Sequence, residues 1–327
     1  MSNRSATAVA HPNIALIKYW GNRDNEWNIP SSGSLSMTLG EVFTTTKITL
    51  DEERDRDFLS INGLIASEMA QQRLSAFMDG VRKLSGRRGY CVVESQNNFP
   101  QGVGIASSAS AFAALALAAS ALFELPLDVI AVSRLARLGS GSACRSILGG
   151  FVEWLAGEDH LSSYAIQIAP PDHWDLVDCI AVVSREHKGV VSKEGHRLAS
   201  TSPLQSCRIA TANERLEVCR QAIQKRDFDA LTRVVELDSN LMHAVMMTST
   251  PMLFYWQPAT LNILLEVPRK RLEGLPLCYT IDAGPNVHIL TLKDHASDVR
   301  AWLKEIPGVQ EVLFAPMGGD AKLVKVE

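Results

Sequence analysis

Residues 43–50 (FTTTKITL) alternate apolar with polar, β-branched positions and read as a strand, and the charge run at 51–57 reads as a solvated turn. From 67 to 84, Met69, Leu74, Phe77, Met78 and Val81 recur at helical spacing and predict an amphipathic helix; 90–95 return to a strand. The apolar stretch at 109–123 carries no charge. At about 15 residues it is shorter than the ~20 a bilayer crossing needs, and Ser107 and Ser108 before it and Glu124-Leu125-Pro126 after it mark the ends of a buried helix. A further helix is expected at 127–138, between Gly/Ser loops at 97–110 and 139–150. The second part predicts a strand at 176–183, helices at 210–224, 227–248 and 256–272, strands at 277–282 and 287–291, a helix at 296–306 and two closing strands. The pair Pro170-Pro171 divides the chain into an expected first lobe, 1–175, and a second, 176–327. Strands and helices mixed without a regular βαβαβ series predict an α+β (irregular α/β) class. No repeat period or low-complexity tract interrupts the pattern.

Composition narrows the function. The 327 residues carry 32 Lys+Arg against 36 Asp+Glu, with 46% apolar and 21% charged residues. That balance is globular and excludes a general nucleic-acid binder, which would show a basic domain or stripe. Six cysteines (Cys91, Cys144, Cys179, Cys207, Cys219 and Cys278) form no C-x-x-C pair and no zinc spacing, which suits reduced thiols. Residues 1–9 hold one Arg and no apolar core of a secretory signal. The expectation is a cytoplasmic protein without nucleic-acid or membrane partners.

Candidate chemistry begins at residues 97–110 (NNFPQGVGIASSAS), which leave a strand, turn through Gly102 and Gly104, and enter the alanine-rich helix. The glycines allow a ligand to approach the backbone, and Ser107 or Ser108 can cap a helix start whose free N–H groups attract an anion. The loop has neither the Gly-Lys-Ser/Thr of a Walker A motif nor the spacing of a dinucleotide fingerprint. By itself it serves a phosphate or a plain turn equally well. Asp282, between a strand-like run and Gly284-Pro285-Asn286, suits a general base but also suits a turn-forming Asp. Arg145, after a Gly/Ser loop, has the planar fork for a carboxylate or phosphate, or for a surface salt bridge. Lys18 shares a strand face with Ile14 and Leu16, unusual for a charge unless it meets an anion; snorkelling at a strand end is the alternative. Ser140 and Ser142 are phosphate donors or turn formers.

Residues 100–109 fit P-x-x-x-G-[LI]-x-S-S-[AS], which resembles the ATP signature of the galactokinase, homoserine kinase, mevalonate kinase and phosphomevalonate kinase (GHMP) superfamily. Within it, residues 13–24 (NIALIKYWGNRD) look like the N-terminal motif of the mevalonate diphosphate decarboxylases. Residues 137–146 (RLGSGSACRS), Gly149-Gly150-Phe151-Val152-Glu153-Trp154, Asp238-Ser239-Asn240 with His243-Ala244, and 279–286 (YTIDAGPN) are similar to that family's further motifs, in order. The resemblance implies a two-lobed GHMP-kinase-type fold with the site in the cleft, a homodimer, and ATP with Mg²⁺ as cofactors; it names no metal ligands. It implies that Asp282 acts on the substrate's tertiary 3-hydroxyl, which ATP phosphorylates before phosphate and CO₂ depart. Arg145 would contact the substrate carboxylate and the transferring phosphoryl group, with Lys18 as the third catalytic residue. Asn13, Tyr19, Asn22, Ser140, Ser142 and Lys193 would bind substrate. Asn98, Gly102, Gly104, Ser107, Ser108, Lys188 and Ser192 would bind ATP, and His243 reads as a packing residue.

Two positions depart from the diphosphate enzymes. Their motif usually reads K-Y-W-G-K-R-D, and its second Lys is replaced here by uncharged Asn22; Ala10-His11-Pro12 is also closer to decarboxylases acting on mevalonate 5-phosphate. Each charge-assisted hydrogen bond lost is worth roughly 1.5–3 kcal/mol, so both departures point to a monophosphate substrate. The expected activity is ATP-dependent decarboxylation of mevalonate 5-phosphate to isopentenyl phosphate. The alternatives are decarboxylation of the 5-diphosphate, a 3-kinase that releases no CO₂, and a non-catalytic nucleotide binder.

Overall fold

The structure, a computed structural model, describes residues 4–99, 107–185 and 192–327. Its first part runs β1 (Ser5–Ala10), β2 (Asn13–Ile17), β3 (Asn22–Asp24), β4 (Ile29–Pro30), β5 (Ser34–Thr38), β6 (Thr44–Asp51), β7 (Phe58–Ile61), β8 (Leu64–Ile65), α1 (Glu68–Ser85) and β9 (Tyr90–Asn97). There follow α2 (Ser107–Leu122), α3 (Val129–Gly139), a 3-10 helix (Gly141–Ser146), β10 (Phe151–Trp154) and β11 (Ala165–Ala169). The second part holds β12 (Leu176–Val182), α4 (Ser192–Leu198), α5 (Gln205–Ala210), α6 (Ala212–Lys225), α7 (Phe228–Thr248), α8 (Pro258–Leu272), β13 (Cys278–Thr280), β14 (Val287–Leu292), α9 (Ala296–Glu305), β15 (Glu311–Pro316) and β16 (Lys322–Val326).

Local chemistry sets the helix ends. Ser67 caps α1 by accepting from the Ala70 N–H, and Gly86 ends it in the left-handed region at φ 68°. Leu74, Phe77, Met78 and Val81 are buried as their spacing predicts, whereas Met69, in the first turn, is exposed. Asp128 and Asp227 cap α3 and α7 in the same way. The alanine-rich α2 is apolar all round because it lies between β1 and β6 on one side and α3 on the other.

Among the described residues three larger sheets, in the orders β16-β1-β6-β9-β7-β8, β11-β10-β5-β2 and β13-β14-β12-β15, stand beside a two-stranded β3-β4 sheet. Only the β7–β9 pairing among the described ladders is parallel. The last strand pairs with β1, so the chain closes on its own beginning. One apolar cluster joins Ile14, Leu16, Leu35 and Met37 of the second sheet to Ile180, Leu290 and Ala315 of the third, with Leu216, Leu231 and Val235 of α6 and α7 among them. The two parts therefore share a core, and the groups at the end of β2 meet those after β13 in a fixed relation. Among the described residues no helix is long and apolar enough to cross a membrane.

Three details depart from expectation. Residues 141–146 form a 3-10 helix instead of a loop, α4 and α5 are helical, and β13 stops at Thr280, which leaves Asp282 on the turn beyond the strand. All five residues of β2 are buried, so facial alternation does not place Lys18; it follows the strand after an irregularity between Ala15 and Ile17.

Candidate active site

Past Ile17 the chain leaves its ladder, and the backbone of Lys18 needs other partners. Its N–H donates to Asp238 Oδ2 at 2.6 Å and its carbonyl accepts from Arg208 Nη2 at 2.7 Å. Asp238 Oδ1 accepts from Arg215 Nε at 2.7 Å, while Arg208 stands 3.6 Å from the same carboxylate. All three charged side chains are buried. A charged clamp from α5, α6 and α7 thus fixes the backbone of Lys18. The Lys18 side chain, 1% exposed, then donates from Nζ to Asp282 Oδ1 at 2.6 Å; the Asp282 side chain is 25% exposed.

Asp282 is held by its neighbours. Ile281 N–H donates to Ser239 Oγ at 3.0 Å, and the Ile281 carbonyl lies 3.3 Å from His243 Nε2. Asn286 bolts the far end of the turn, accepting from the N–H groups of Val183 and Ser184 and donating to the Ser184 carbonyl. Burial, and then the charge of Lys18, push His243 down to about 4, so it packs as a neutral ring against Trp256.

Arg145 lies on the 3-10 helix, 2% exposed. Nε and Nη2 donate to Asn13 Oδ1 at 3.3 and 3.1 Å, Nη1 donates to Ser34 Oγ, and the guanidinium lies 6.0 Å from the Trp154 ring. Each of these partners is neutral, and among the described residues no carboxylate forms an ion pair with Arg145. Burial lowers its pKa and outweighs the opposing pull of nearby groups, Asp282 among them. Asn13 completes the bracket by donating to the Ser142 carbonyl at 3.2 Å and Ser146 Oγ at 2.7 Å. Its bonds go to the groups that aim Arg145.

Tyr19 donates to Asn22 Oδ1 at 2.5 Å, and its ring packs 4.7 Å from Trp154 and 4.0 Å from His196. Burial raises the phenol, so it stays protonated. A Cβ on Gly141 would stand 2.8 Å from the Tyr19 ring, so only glycine lets the loop pass so close. Asn22 Nδ2 reaches Asn25 Oδ1 at 3.2 Å. Ser140 Oγ lies 3.3 Å from Ser108 Oγ, where the 139–142 segment meets the first turn of α2. Ser107 and Ser108 lie within that turn and do not precede it, at the positive end of a 16-residue helix. Asn98 donates to the Glu41 carbonyl and accepts from the Phe43 N–H, bracing the approach to β6. Gly102, Gly104 and Lys188 lie outside the described residues, as do the side chains of Ser192 and Lys193.

Lys18, Asp282, Arg145, Asn13, Tyr19, Asn22 and Ser140 are thereby joined through β2 and its neighbours. The model of the diphosphomevalonate decarboxylase-like N-terminal domain matches residues 10–165, and that of the mevalonate 5-diphosphate decarboxylase C-terminal domain matches 179–317. The chain belongs to the diphosphomevalonate decarboxylase family. It is 40% identical to the diphosphomevalonate decarboxylase of Ganoderma lucidum, over 99% of this chain and 89% of that one. The mevalonate diphosphate decarboxylase of Staphylococcus aureus superposes with TM-score 0.93 at 36% identity, over 99% of this chain and 98% of the other. A structure described as MDDEF in complex with MVAPP, AMPPCP and magnesium superposes with TM-score 0.93 at 34% identity, over 99% of this chain and all of that one. These likenesses assign the GHMP-kinase-type fold of the family.

Magnesium would accompany the nucleotide. Among the described residues no group of three or more His, Cys, Asp or Glu could hold a metal ion, so the described side chains do not form a cage for it. The hard, oxygen-seeking ion commonly keeps its waters and rests on substrate phosphates.

Sequence reasoning missed Arg208, Arg215 and His196, and took Asp238 only as part of a motif. The signal for two of them was present. Asp238 falls on the apolar face of α7, three after Val235 and four before Met242; Arg215 falls between Ala212 and Cys219 on the buried face of α6. A charge on such a face needs a buried partner.

Proposed function

We propose that the protein uses ATP to phosphorylate the 3-hydroxyl of a 5-phosphorylated mevalonate and then expels phosphate and CO₂ to leave an alkene. The observation that carries this reading is Arg145, a buried guanidinium with neutral partners, in the same site as the Lys18–Asp282 pair. A buried charge whose direct partners are all neutral is costly, and a substrate carboxylate or phosphoryl group would relieve that cost. Asp282 accepts from Lys18 through Oδ1, and its side chain is 25% exposed, which suits a carboxylate that orients a hydroxyl whose proton must leave as phosphate is transferred.

The names of the relatives support the 5-diphosphate as substrate and isopentenyl diphosphate as product. A specific observation favours the 5-monophosphate as a second reading. Asn22, which departs from the lysine of the motif this segment resembles, is neutral and engaged at both ends, by Tyr19 and by Asn25. Initial rates of ADP and CO₂ release, measured with each substrate at saturating ATP and Mg²⁺, decide between them. Equal ADP and CO₂ on either substrate supports the decarboxylase, and the preferred substrate gives the phosphate number. ADP without CO₂ on both would replace the reading with a 3-kinase. We also read the protein as cytosolic, since all six cysteines are free thiols, which suits a reducing compartment; the homodimer is carried over from the family resemblance.

A further inference from the structure

Behind Tyr19 stands a side chain to which no role has been given. His196 lies on α4, and its half-buried ring stacks on Tyr19 at 4.0 Å with an interplanar angle of 27°. It also meets Trp20 at 4.7 Å. The Gly21 N–H donates to His196 Nδ1 at 3.0 Å. A backbone N–H can only donate, so Nδ1 must be unprotonated, and in the neutral ring the hydrogen is on Nε2. Gly21 itself cannot be exchanged: its φ is +96°, and a Cβ would stand 2.5 Å from Gln205 Nε2. Gln205 Nε2 donates in turn to the Trp20 carbonyl at 2.9 Å, and the Gly21 carbonyl accepts from the Ser31 N–H at 3.0 Å. The turn from Tyr19 to Asn22 is therefore tied on each side, and His196 supplies the tie from α4.

We infer that His196 is a positioning residue: by accepting from Gly21 and stacking on Tyr19 it fixes the turn that holds Tyr19 and Asn22 at the phosphate end of the substrate. The inference rests on the substrate reading above. Burial, and then the nearby Arg208 and Arg145 charges, push His196 down to about 3, the direction that keeps the ring neutral and agrees with an Nδ1 that accepts from Gly21.

Three substitutions separate the ring's functions. His196→Asn keeps an acceptor at the position of Nδ1, His196→Gln keeps a donor at the position of Nε2, and His196→Leu keeps bulk alone. His196→Leu and His196→Gln are expected to raise KM for phosphorylated mevalonate tenfold or more, with kcat within threefold and KM for ATP unchanged. His196→Asn is expected to restore KM to within threefold. An Asn variant no better than the Leu variant would overturn the inference, as would loss of kcat at unchanged KM. A second readout needs no turnover, so it survives failure of the substrate reading. In a long-range ¹H–¹⁵N histidine spectrum at pH 7, His196 of the wild type should appear as the neutral Nε2–H tautomer. Amide exchange at Gly21 should quicken at least tenfold in the Leu and Gln variants and not in the Asn variant. An Nδ1–H tautomer, or unchanged exchange, would sink the proposal. Absence of turnover by the wild type on both substrates would count against the proposed function alone.

Discussion

The substitution Asp238→Asn tests the clamp behind Lys18 with almost no change in shape. Asp238 is fully buried and accepts from Arg215 Nε at 2.7 Å and the Lys18 N–H at 2.6 Å, with Arg208 3.6 Å away. The amide removes the only carboxylate paired with two buried guanidinium groups among the described residues. It also turns one accepting oxygen into a donor, which must face either the Lys18 N–H or Arg215. Removing one partner of a buried ion pair costs about 3–5 kcal/mol, because the remaining charge keeps its desolvation penalty. Against a total stability of ~5–15 kcal/mol that is a large share. Equilibrium urea unfolding of both proteins should show a loss of about 3–5 kcal/mol. Under conditions where the variant is folded, kcat should fall at least tenfold, since the released Lys18 backbone no longer aims Nζ at Asp282. Adding Arg215→Met removes the excess charge and should return part of the stability, a coupling expected between groups in one network. A loss below ~1 kcal/mol, the scale of an ordinary surface change, with kcat within twofold of wild type would show that the carboxylate is not holding the arginines.

Two other outcomes follow from the site. His196 and His243 are pushed down to about 3 and about 4, while an unfolded chain protonates its histidines near 6.5. The unfolded state therefore binds more protons below that value, so stability is full above about pH 7 and falls on acidification. Each residue should contribute a loss of up to about 2 kcal/mol between pH 7 and 5; thermal unfolding of the wild type and of His243→Asn across that range checks it, the variant showing the shallower fall. Arg145→Lys keeps the charge but cannot reach both Asn13 and Ser34 while offering a fork to the ligand. At roughly 1.5–3 kcal/mol for a lost charge-assisted bond, kcat/KM should drop about 10–100-fold with ADP and CO₂ still equal; wild-type efficiency would remove Arg145 from the site.

Much of the architecture was legible because it is written locally. Capped, amphipathic segments such as α1 and α7 announce themselves by periodicity and by Ser67 and Asp227 at their starts. The 3-10 helix at Gly141–Ser146 was not legible. A run of Gly, Ser, Ala and Cys has no periodic apolar face, and its shape comes from Asn13 and Ser34, more than a hundred residues away in the chain. The motifs marked Lys18, Arg145 and Asp282, but not their arrangement. That Lys18 and Asp282 touch across 264 positions depends on β2 and β13 packing around α7, a tertiary fact. His196 was invisible for a similar reason: its partners are the Tyr19 and Trp20 rings and one backbone N–H, none of which leaves a local pattern.

The charges around the site explain why those distant parts must meet. Lys18 and Asp282 cancel in their pair, and Asp238 offsets one of its two arginines. One positive charge of that clamp is left over, and Arg145 adds another. Both are buried, where an uncompensated charge is expensive, so the protein without ligand carries an electrostatic debt that it cannot settle from these residues. A substrate with a carboxylate and a 5-phosphoryl group brings negative charge to that region. The same surplus suits the chemistry proposed: positive charge already fixed near the reacting carbon stabilises a departing phosphate without reorganisation. A pocket neutralised in advance would be a more stable protein and a poorer catalyst for this elimination.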